Sequence, residues 1–268
     1  MTFKQYKNGI PVIEATNAEN FEVSDSITVE DSVTVQNSIT VEEIYTRLDA
    51  PLIVAVQSSS GMASSSSDYG TTWTEFDTGL FPFTRIAYGN GKFVGVGNYS
   101  DGMGNGYGAY STDAITWTQT TLPSMLGRSV THGDGKFVAV AYNSSTAAYS
   151  TDGITWTQTT MPGIYKWQSV THGDGKFVVV AYNSSTAAHS TDGITWTQIT
   201  MPGSGVYSWY ALVHDGRRFF AARQDGVAAY STDGTAWTEV TTMTNRAWVG
   251  LASGIGNRIA KINGLIYP

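Results

Sequence analysis

Short runs of apolar and β-branched residues recur along most of the chain, and polar turn residues separate them. One stretch contains four such runs: RSVTH (128–132), KFVAVAY (136–142), TAAYS (146–150) and TWTQTT (155–160). Each run is too short for a helix, and valine, threonine and aromatic residues favour strands. The separators HGDG, YNSS, TDG and MPG are typical of tight turns. The pattern therefore predicts four consecutive antiparallel strands.

One short motif that ends in tryptophan recurs five times. It reads SSDYGTTW, STDAITW, STDGITW, STDGITW and STDGTAW, with tryptophans 44, 39, 40 and 41 residues apart. Its aspartates and tryptophans are Asp68, Asp113, Asp152, Asp192, Asp233, Trp73, Trp117, Trp156, Trp196 and Trp237. Two of the repeats, 129–163 and 169–203, differ at three of 35 positions. This period, with four strands in each unit, predicts an all-β fold: a β-propeller of four-stranded blades.

The motif has a structural explanation. Asp152 lies at the predicted turn between the third and fourth strands, where its carboxylate can accept backbone N–H groups of its own turn. Gly153 permits the positive φ that such a turn needs. Trp156 follows on the outermost strand, where its ring is expected to fill the space towards the next blade.

The motif resembles the Asp-box, the bacterial neuraminidase repeat of sialidases and related propellers. Residues 66–73 match the form S-x-D-x-G-x-T-W in full. The other four copies lack one residue before the glycine, and Ala114 replaces that glycine in the second copy. The resemblance implies a propeller in which these motifs are structural turns, remote from the face that carries catalysis in the family.

The number of blades is predicted as five, with six as the alternative. The segment 53–68 aligns without a gap with 137–152, so the first blade has its second, third and fourth strands. The segment 248–253 resembles a first strand and would complete that blade by closing the ring. The segment 257–262 is then a surplus strand, and the alternative that accommodates it is a six-bladed ring with an irregular last blade.

Residues 1–50 have a different pattern from the propeller, which is predicted over 51–268. Six-residue units with alternating apolar positions run through 20–43, and a single chain cannot bury such a face alone. We expect residues 20–50 to form a β-stem that associates as a homotrimer through 20–43, with a short helical connector from Thr40. An edge strand or a disordered acidic linker is the alternative. Residues 1–19 are expected to be disordered or to attach to other virion proteins.

Charge and composition restrict the function classes. Residues 1–50 hold nine acidic and three basic side chains, a net charge of −6, and the remainder holds 13 acidic and 12 basic, a net charge of −1. A nearly neutral propeller lacks the basic stripe that nucleic acid requires. There is no cysteine, no signal-peptide pattern and no run long enough to span a bilayer, so we expect synthesis in a host cytoplasm without membrane insertion.

The sequence predicts neither an enzyme nor a cofactor. A sialidase needs three arginines, a tyrosine nucleophile with a glutamate base, and an acid. The propeller has seven arginines but only two glutamates, Glu75 and Glu239, and both follow a motif tryptophan on an outermost strand. The recurring His132, His172 and His214 are interpreted as turn packing rather than as metal ligands.

Aromatic residues gather in the connections between blades. In a propeller these connections share one face with the YNSS loops, while the Asp-box and HGDG turns share the other. Flat rings beside polar side chains suit sugars. The candidate ligand-binding residues are Tyr165, Trp167, Tyr207, Trp209 and Tyr210. Trp167 and Trp209 hold aligned positions and could instead pack between blades, which makes the tyrosines the more exposed candidates.

Together the stem and the propeller are similar in layout to phage tail-fibre and other virion appendage proteins. We therefore expect a non-enzymatic appendage protein, located in the virion, whose propeller binds host-surface carbohydrate. The alternatives are a virion structural or decoration protein with the propeller as a spacer, and a glycosidase of the sialidase type.

We predict that deletion of residues 1–45 yields a soluble, monomeric propeller, because the apolar positions of 20–43 supply the contacts between chains. Size-exclusion chromatography with light scattering on the full chain and on the truncated chain measures this directly. A truncated protein that stays trimeric would place the contacts elsewhere.

Overall fold

A computed structural model of the chain describes residues 6–7, 10–11, 52–68, 70–100, 106–203, 205, 207–223 and 225–240. The predicted stem with its connector, the closing segment 248–253 and the surplus strand 257–262 lie outside these residues, so trimerisation and ring closure stay predictions. Contacts divide the chain into two units, residues 1–49 and 50–268. In the first unit, strand β1 (Tyr6–Lys7) pairs antiparallel with β2 (Ile10–Pro11).

The second unit is a β-propeller built from antiparallel sheets, as predicted. We number its blades I to V in chain order, and within the described residues blade I has three strands and the others four. Blade I consists of β3 (Ile53–Val56), β4 (Met62–Ser66) and β5 (Thr74–Asp77). Blade II consists of β6 (Arg85–Gly89), β7 (Lys92–Ser100), β8 (Gly106–Ser111) and β9 (Thr118–Thr121).

Blades III and IV share one long strand, β13 (Thr157–Gly173), which pairs first with β12 and then with β14. Blade III begins with β10 (Gly127–Gly133), β11 (Lys136–Ala141) and β12 (Ser144–Ser150). Blade IV continues with β14 (Lys176–Tyr182), β15 (Thr186–Ser190) and β16 (Thr197–Thr200). Blade V consists of β17 (Trp209–His214), β18 (Phe219–Arg223), β19 (Ala228–Ser231) and β20 (Thr238–Val240).

The core lies between blades. The first strands of blades II to V contact one another in succession, as the innermost strands of a propeller do. The second strands of blades II to V are buried on both sides. In β11, Phe137 and Ala139 join an apolar cluster shared with blade II, whereas Val138 and Val140 join the cluster shared with blade IV. The near-continuous apolar run KFVAVA thus reflects burial of both faces. No helix of the described residues is long and apolar enough to cross a membrane.

The predicted turn chemistry of the motif is confirmed. The Asp152 carboxylate accepts hydrogen bonds from the backbone N–H groups of Ile154 and Thr155, both at 2.8 Å, and from the Ser150 hydroxyl at 2.8 Å. Gly153 has a φ of 74°. Asp68, Asp113, Asp192 and Asp233 make equivalent bonds within their own turns. Ala114 adopts a φ of 65° in place of the glycine, so this turn keeps its shape in the left-handed region despite a Cβ atom.

The motif turns of blades III to V pack against the preceding blade. A Cβ atom on Gly153 would lie 2.6 Å from the Val94 side chain of blade II, and Gly193 and Gly234 meet Val138 and Val178 in the same way. The tryptophan ring that follows each of these turns also lies on the side of the preceding blade. Trp156 therefore packs on the cluster shared with blade II, which corrects the expectation that it fills space towards the next blade.

Histidine rings form a second contact between successive blades. His132, His172 and His214 pack over Gly89, Gly133 and Gly173 of the preceding blade, where a Cβ atom would lie 2.0 to 2.1 Å from the ring. The Nε2 atoms of His172 and His214 bond to Asp134 and Asp174 at 3.0 and 3.1 Å. The interpretation of these histidines as turn packing is confirmed.

We predict that Asp152→Asn lowers the melting temperature, and that the difference from the native chain shrinks in acid. The backbone N–H groups of Ile154 and Thr155 lower the pKa of Asp152 from 3.8 to about 2. Because the folded pKa lies below the unfolded value, this stabilisation is present above pH 3.8 and is lost as the pH falls towards 2. Thermal melts between about pH 2 and pH 6 measure the effect. An equal difference at every pH would contradict the assigned role of the charge.

We predict that Gly133→Ala destabilises the fold by about 1–3 kcal/mol, the usual range for overpacking. The added methyl group would lie 2.0 Å from Cγ of His172. In a His172→Ala background the same change should cost much less, because the ring is gone. Chemical denaturation of the two single variants and the double variant measures this coupling. Additive effects would show that the ring is not the obstacle.

Candidate functional site

A cavity of about 310 Å³ opens where the first strands begin and the second strands end. Its lining residues are Asn98, Arg128, Tyr142, Gln168, Tyr182 and Tyr210. We call this side of the propeller the loop face. The opposite side carries the motif turns and the β6–β7 and β10–β11 turns, which Asn90 links by donating to the carbonyls of Gly135 and Thr151.

Three of the lining residues occupy the same position in successive blades. Arg128, Gln168 and Tyr210 are each the extra residue of a β-bulge near the start of the first strand, where the register against the second strand shifts. A bulge leaves its extra residue out of the ladder and redirects its side chain. The bulges therefore explain how three inner strands direct one side chain each into the same space.

The other three lining residues come from the second strands. Asn98, Tyr142 and Tyr182 are equivalent when the blades are aligned on the phenylalanines that begin their second strands. An antiparallel second strand ends at the edge where the first strand begins, which brings the two sets together. The lining residues thus occupy two equivalent positions of the repeat, and three blades contribute a residue at each position.

Hydrogen bonds and ring contacts connect the lining residues. Nε of Arg128 donates to Oε1 of Gln168 at 3.0 Å, and the guanidinium lies 5.6 Å from the Tyr142 ring centre. Tyr182 and Tyr210 meet edge to face with centroids 6.1 Å apart. Gln168 is only 1% exposed, and its Nε2 has no hydrogen-bond partner among the described residues. The cavity therefore offers rings, amides and one guanidinium, and none of its six lining residues is acidic.

The structure separates the five residues that the sequence offered as ligand contacts. Tyr210 lines the cavity. Trp167 and Trp209 have no exposed surface and belong to the clusters between blades, so the alternative that they pack between blades holds. Tyr165 and Tyr207 are half-buried and pack against the same clusters. Neither tryptophan has exposed surface and neither lines the cavity, which removes both from the candidates.

Tyr207 has a structural partner of its own. Cζ of Arg223 lies 3.3 Å from the centre of its ring, and Arg223 is only 4% exposed. The guanidinium also binds Asp225 through both Nε and Nη2. This ring and cation stack holds the connection between blades IV and V in place, so Tyr207 is committed to the scaffold.

Arg128, Gln168, Tyr142, Tyr182 and Asn98 were not among the sequence candidates. A signal for two of them exists in the chain. The near-identity of the third and fourth repeats begins at Ser129 and Ser169, and the residues just before these serines are Arg128 and Gln168. Comparison of the two repeats can therefore identify a position that differs directly before a nearly identical strand. The bulge that directs the side chain at this position into a cavity is visible only in the structure.

The motif aspartates and tryptophans lie away from this cavity, as expected of structural turns. Within the described residues no group of three or more His, Cys, Asp or Glu side chains could hold a metal ion. The described acidic residues at the motif turns are committed to backbone N–H groups on the opposite face.

Comparisons with known proteins agree on the fold. Residues 127–246 match the model of the DUF6242 beta propeller domain, which is less than half of the chain. No curated protein matches the chain. The propeller assignment thus has support from sequence as well as from coordinates.

Solved structures with similar folds include two lyases and a chain of a nidogen/laminin complex. A streptogramin B lyase is 13% identical with a TM-score of 0.63, and 76% of this chain and 70% of that chain are covered. Virginiamycin B lyase from Staphylococcus aureus is 15% identical with a TM-score of 0.61, with 79% and 77% covered. A chain of a nidogen/laminin complex is 10% identical with a TM-score of 0.54, with 75% and 84% covered. At these identities the likeness shows the fold alone.

Proposed function

We propose that the propeller is a carbohydrate-binding module that holds its ligand in the loop-face cavity and does not cleave it. The observation that carries the proposal is the composition of the cavity, in which three tyrosines stand beside a guanidinium and two amides. Aromatic rings stack on the C–H faces of sugars, while amides and guanidinium groups bond their hydroxyls. A volume of about 310 Å³ is at the lower end for small-ligand sites, roughly 300–1,000 Å³.

The internal repeats give a second reason to place binding there. Blades III and IV are nearly identical along 129–163 and 169–203, which keeps their packing the same. The bulged residue next to each identical stretch differs, with Arg128 in one blade and Gln168 in the other. If the blades served only as a scaffold, the residues that face the cavity would not need to differ between blades III and IV.

Binding without hydrolysis is supported by the charges of the site. Glycoside hydrolysis in most families needs two carboxyl groups on either side of the bond, roughly 5–10 Å apart. None of the six lining residues carries a carboxyl group. We therefore propose a non-enzymatic role, and we keep the setting in a trimeric virion appendage as part of the proposal. Three propellers on one stem would raise a weak single-site affinity through avidity.

We predict that the double variant Tyr182→Ala/Tyr210→Ala loses glycan binding while the fold persists. Each lost stacking contact is worth about 0.5–1.5 kcal/mol, so the two together should weaken binding by roughly tenfold or more. A glycan array followed by titration calorimetry of the best ligand measures the loss, and a thermal melt checks the fold.

The matched control is Tyr88→Ala, because Tyr88 is 60% exposed and lies near the end of β6, next to the turn on the opposite face. It should bind as the native chain does. A native chain that retains no glycan on the array, or a double variant that binds unchanged, would overturn the proposal in favour of a spacer role for the propeller.

A further inference from the structure

Three cationic side chains lie together on the loop face, and none of them forms an ion pair with a described acidic residue. Arg128 lines the cavity, and Nζ of Lys166 lies 5.6 and 5.8 Å from the ring centres of Tyr142 and Tyr182. Arg85 interacts electrostatically with both Arg128 and Tyr210. Ion pairs in the described part of the chain involve other residues. The cavity is therefore positive although the propeller as a whole is nearly neutral.

The electrostatics of Arg85 show that this clustering is unfavourable in itself. Burial lowers the pKa of Arg85, and the positive charge of Arg128 lowers it further. Two like charges in a partly desolvated space destabilise each other, and a negative charge placed between or beside them offsets that repulsion. The arrangement thus favours an anionic ligand over a neutral one.

Arg128 is held so that its outer edge stays available. Its Nε donates to Oε1 of Gln168 at 3.0 Å, which fixes the plane of the guanidinium. Its two terminal nitrogens have no hydrogen-bond partner among the described residues. A guanidinium fork of this kind matches a planar carboxylate with two parallel hydrogen bonds.

Gln168 adds a donor beside the fork. Because its Oε1 accepts from Arg128, its Nε2 is identified as the remaining amide nitrogen. This nitrogen is buried and lacks a partner in the described part of the chain. Buried polar groups are nearly always hydrogen-bonded, so an unpartnered buried N–H on a residue that lines the cavity indicates a position where a ligand acceptor fits.

We propose that the cavity selects saccharides that carry a carboxylate, such as hexuronic acids. Arg128 binds the carboxylate through its terminal nitrogens, and Gln168 is the positioning residue that orients Arg128 and donates to the ligand through Nε2. Lys166 and Arg85 add positive potential around this pair. The inference rests on the proposed function and specifies its ligand class.

The test compares matched sugars on the full-length chain. Methyl glucuronide is compared with methyl glucoside, and methyl galacturonide with methyl galactoside, by titration calorimetry and saturation-transfer NMR. We expect each acid to bind at least about tenfold more tightly than its neutral partner, since hydrogen bonds to a charged group are the stronger ones. The preference should weaken as salt is raised.

Substitutions at Arg128 and Gln168 test which residues cause the preference for acidic over neutral sugars. Arg128→Gln should abolish it while neutral sugars still bind, and Arg128→Lys should restore part of it. Gln168→Glu is nearly isosteric and should also abolish it, because the new carboxylate occupies the guanidinium and repels the ligand. Arg217→Gln removes the same charge from an exposed turn on the opposite face and should leave the preference intact. The ratio of the affinities for the acidic and the neutral sugar is a readout that a general loss of stability would not change.

A glycan array of acidic and neutral oligosaccharides separates the two proposals. Retention of neutral glycans only, or equal affinity for acid and neutral sugars, overturns the carboxylate inference and leaves carbohydrate binding standing. Retention of no glycan overturns both. An acid preference that persists in both Arg128→Gln and Gln168→Glu would overturn the assignment to this pair.

Discussion

Close approach of successive blades at positions without side chains is the constraint on which this structure depends. The motif glycines of blades III to V lie on valines of the preceding second strand, and a Cβ atom there would approach to 2.6–2.8 Å. The glycines under the histidine rings leave even less room. Because interiors are packed like crystals, neither contact can relax cheaply. The spacing between blades, and with it the relative placement of the inner strands, follows from these contacts.

That spacing is also what makes a site possible. Arg128, Gln168 and Tyr210 come from three blades, and they meet in one cavity only because the inner strands stand side by side at a fixed separation. The 3.0 Å bond between Arg128 and Gln168 crosses from blade III to blade IV. A looser interface would separate the two side chains. Packing on the side that carries the motif turns therefore maintains the geometry of the cavity on the loop face.

The fold also separates the residues that stabilise it from those that remain free for a ligand. On the side opposite the loop face, carboxylates accept backbone N–H groups in the turns between third and fourth strands, and these turns pack against the preceding blade. On the loop face the described charges of Arg85, Arg128 and Lys166 are cationic and unpaired, whereas Arg223 is paired with Asp225 and stacked on Tyr207. Arg223 is thus part of the scaffold, whereas Arg128 is available for binding, although both lie at or next to the end of a strand.

The sequence by itself determined the strands, the repeat and the turn chemistry, because these depend on local residue preference and on a period that is visible in one dimension. It also indicated that the recurring histidines pack at turns, as they do over glycines of the preceding blade. Only the tertiary structure decided that Trp167 and Trp209 are buried and that Tyr207 is held by Arg223, because burial depends on the neighbouring blade. The cavity was likewise hidden, since a one-residue bulge in the first strands of blades III to V sets which side chain faces it, and separate blades supply its lining residues.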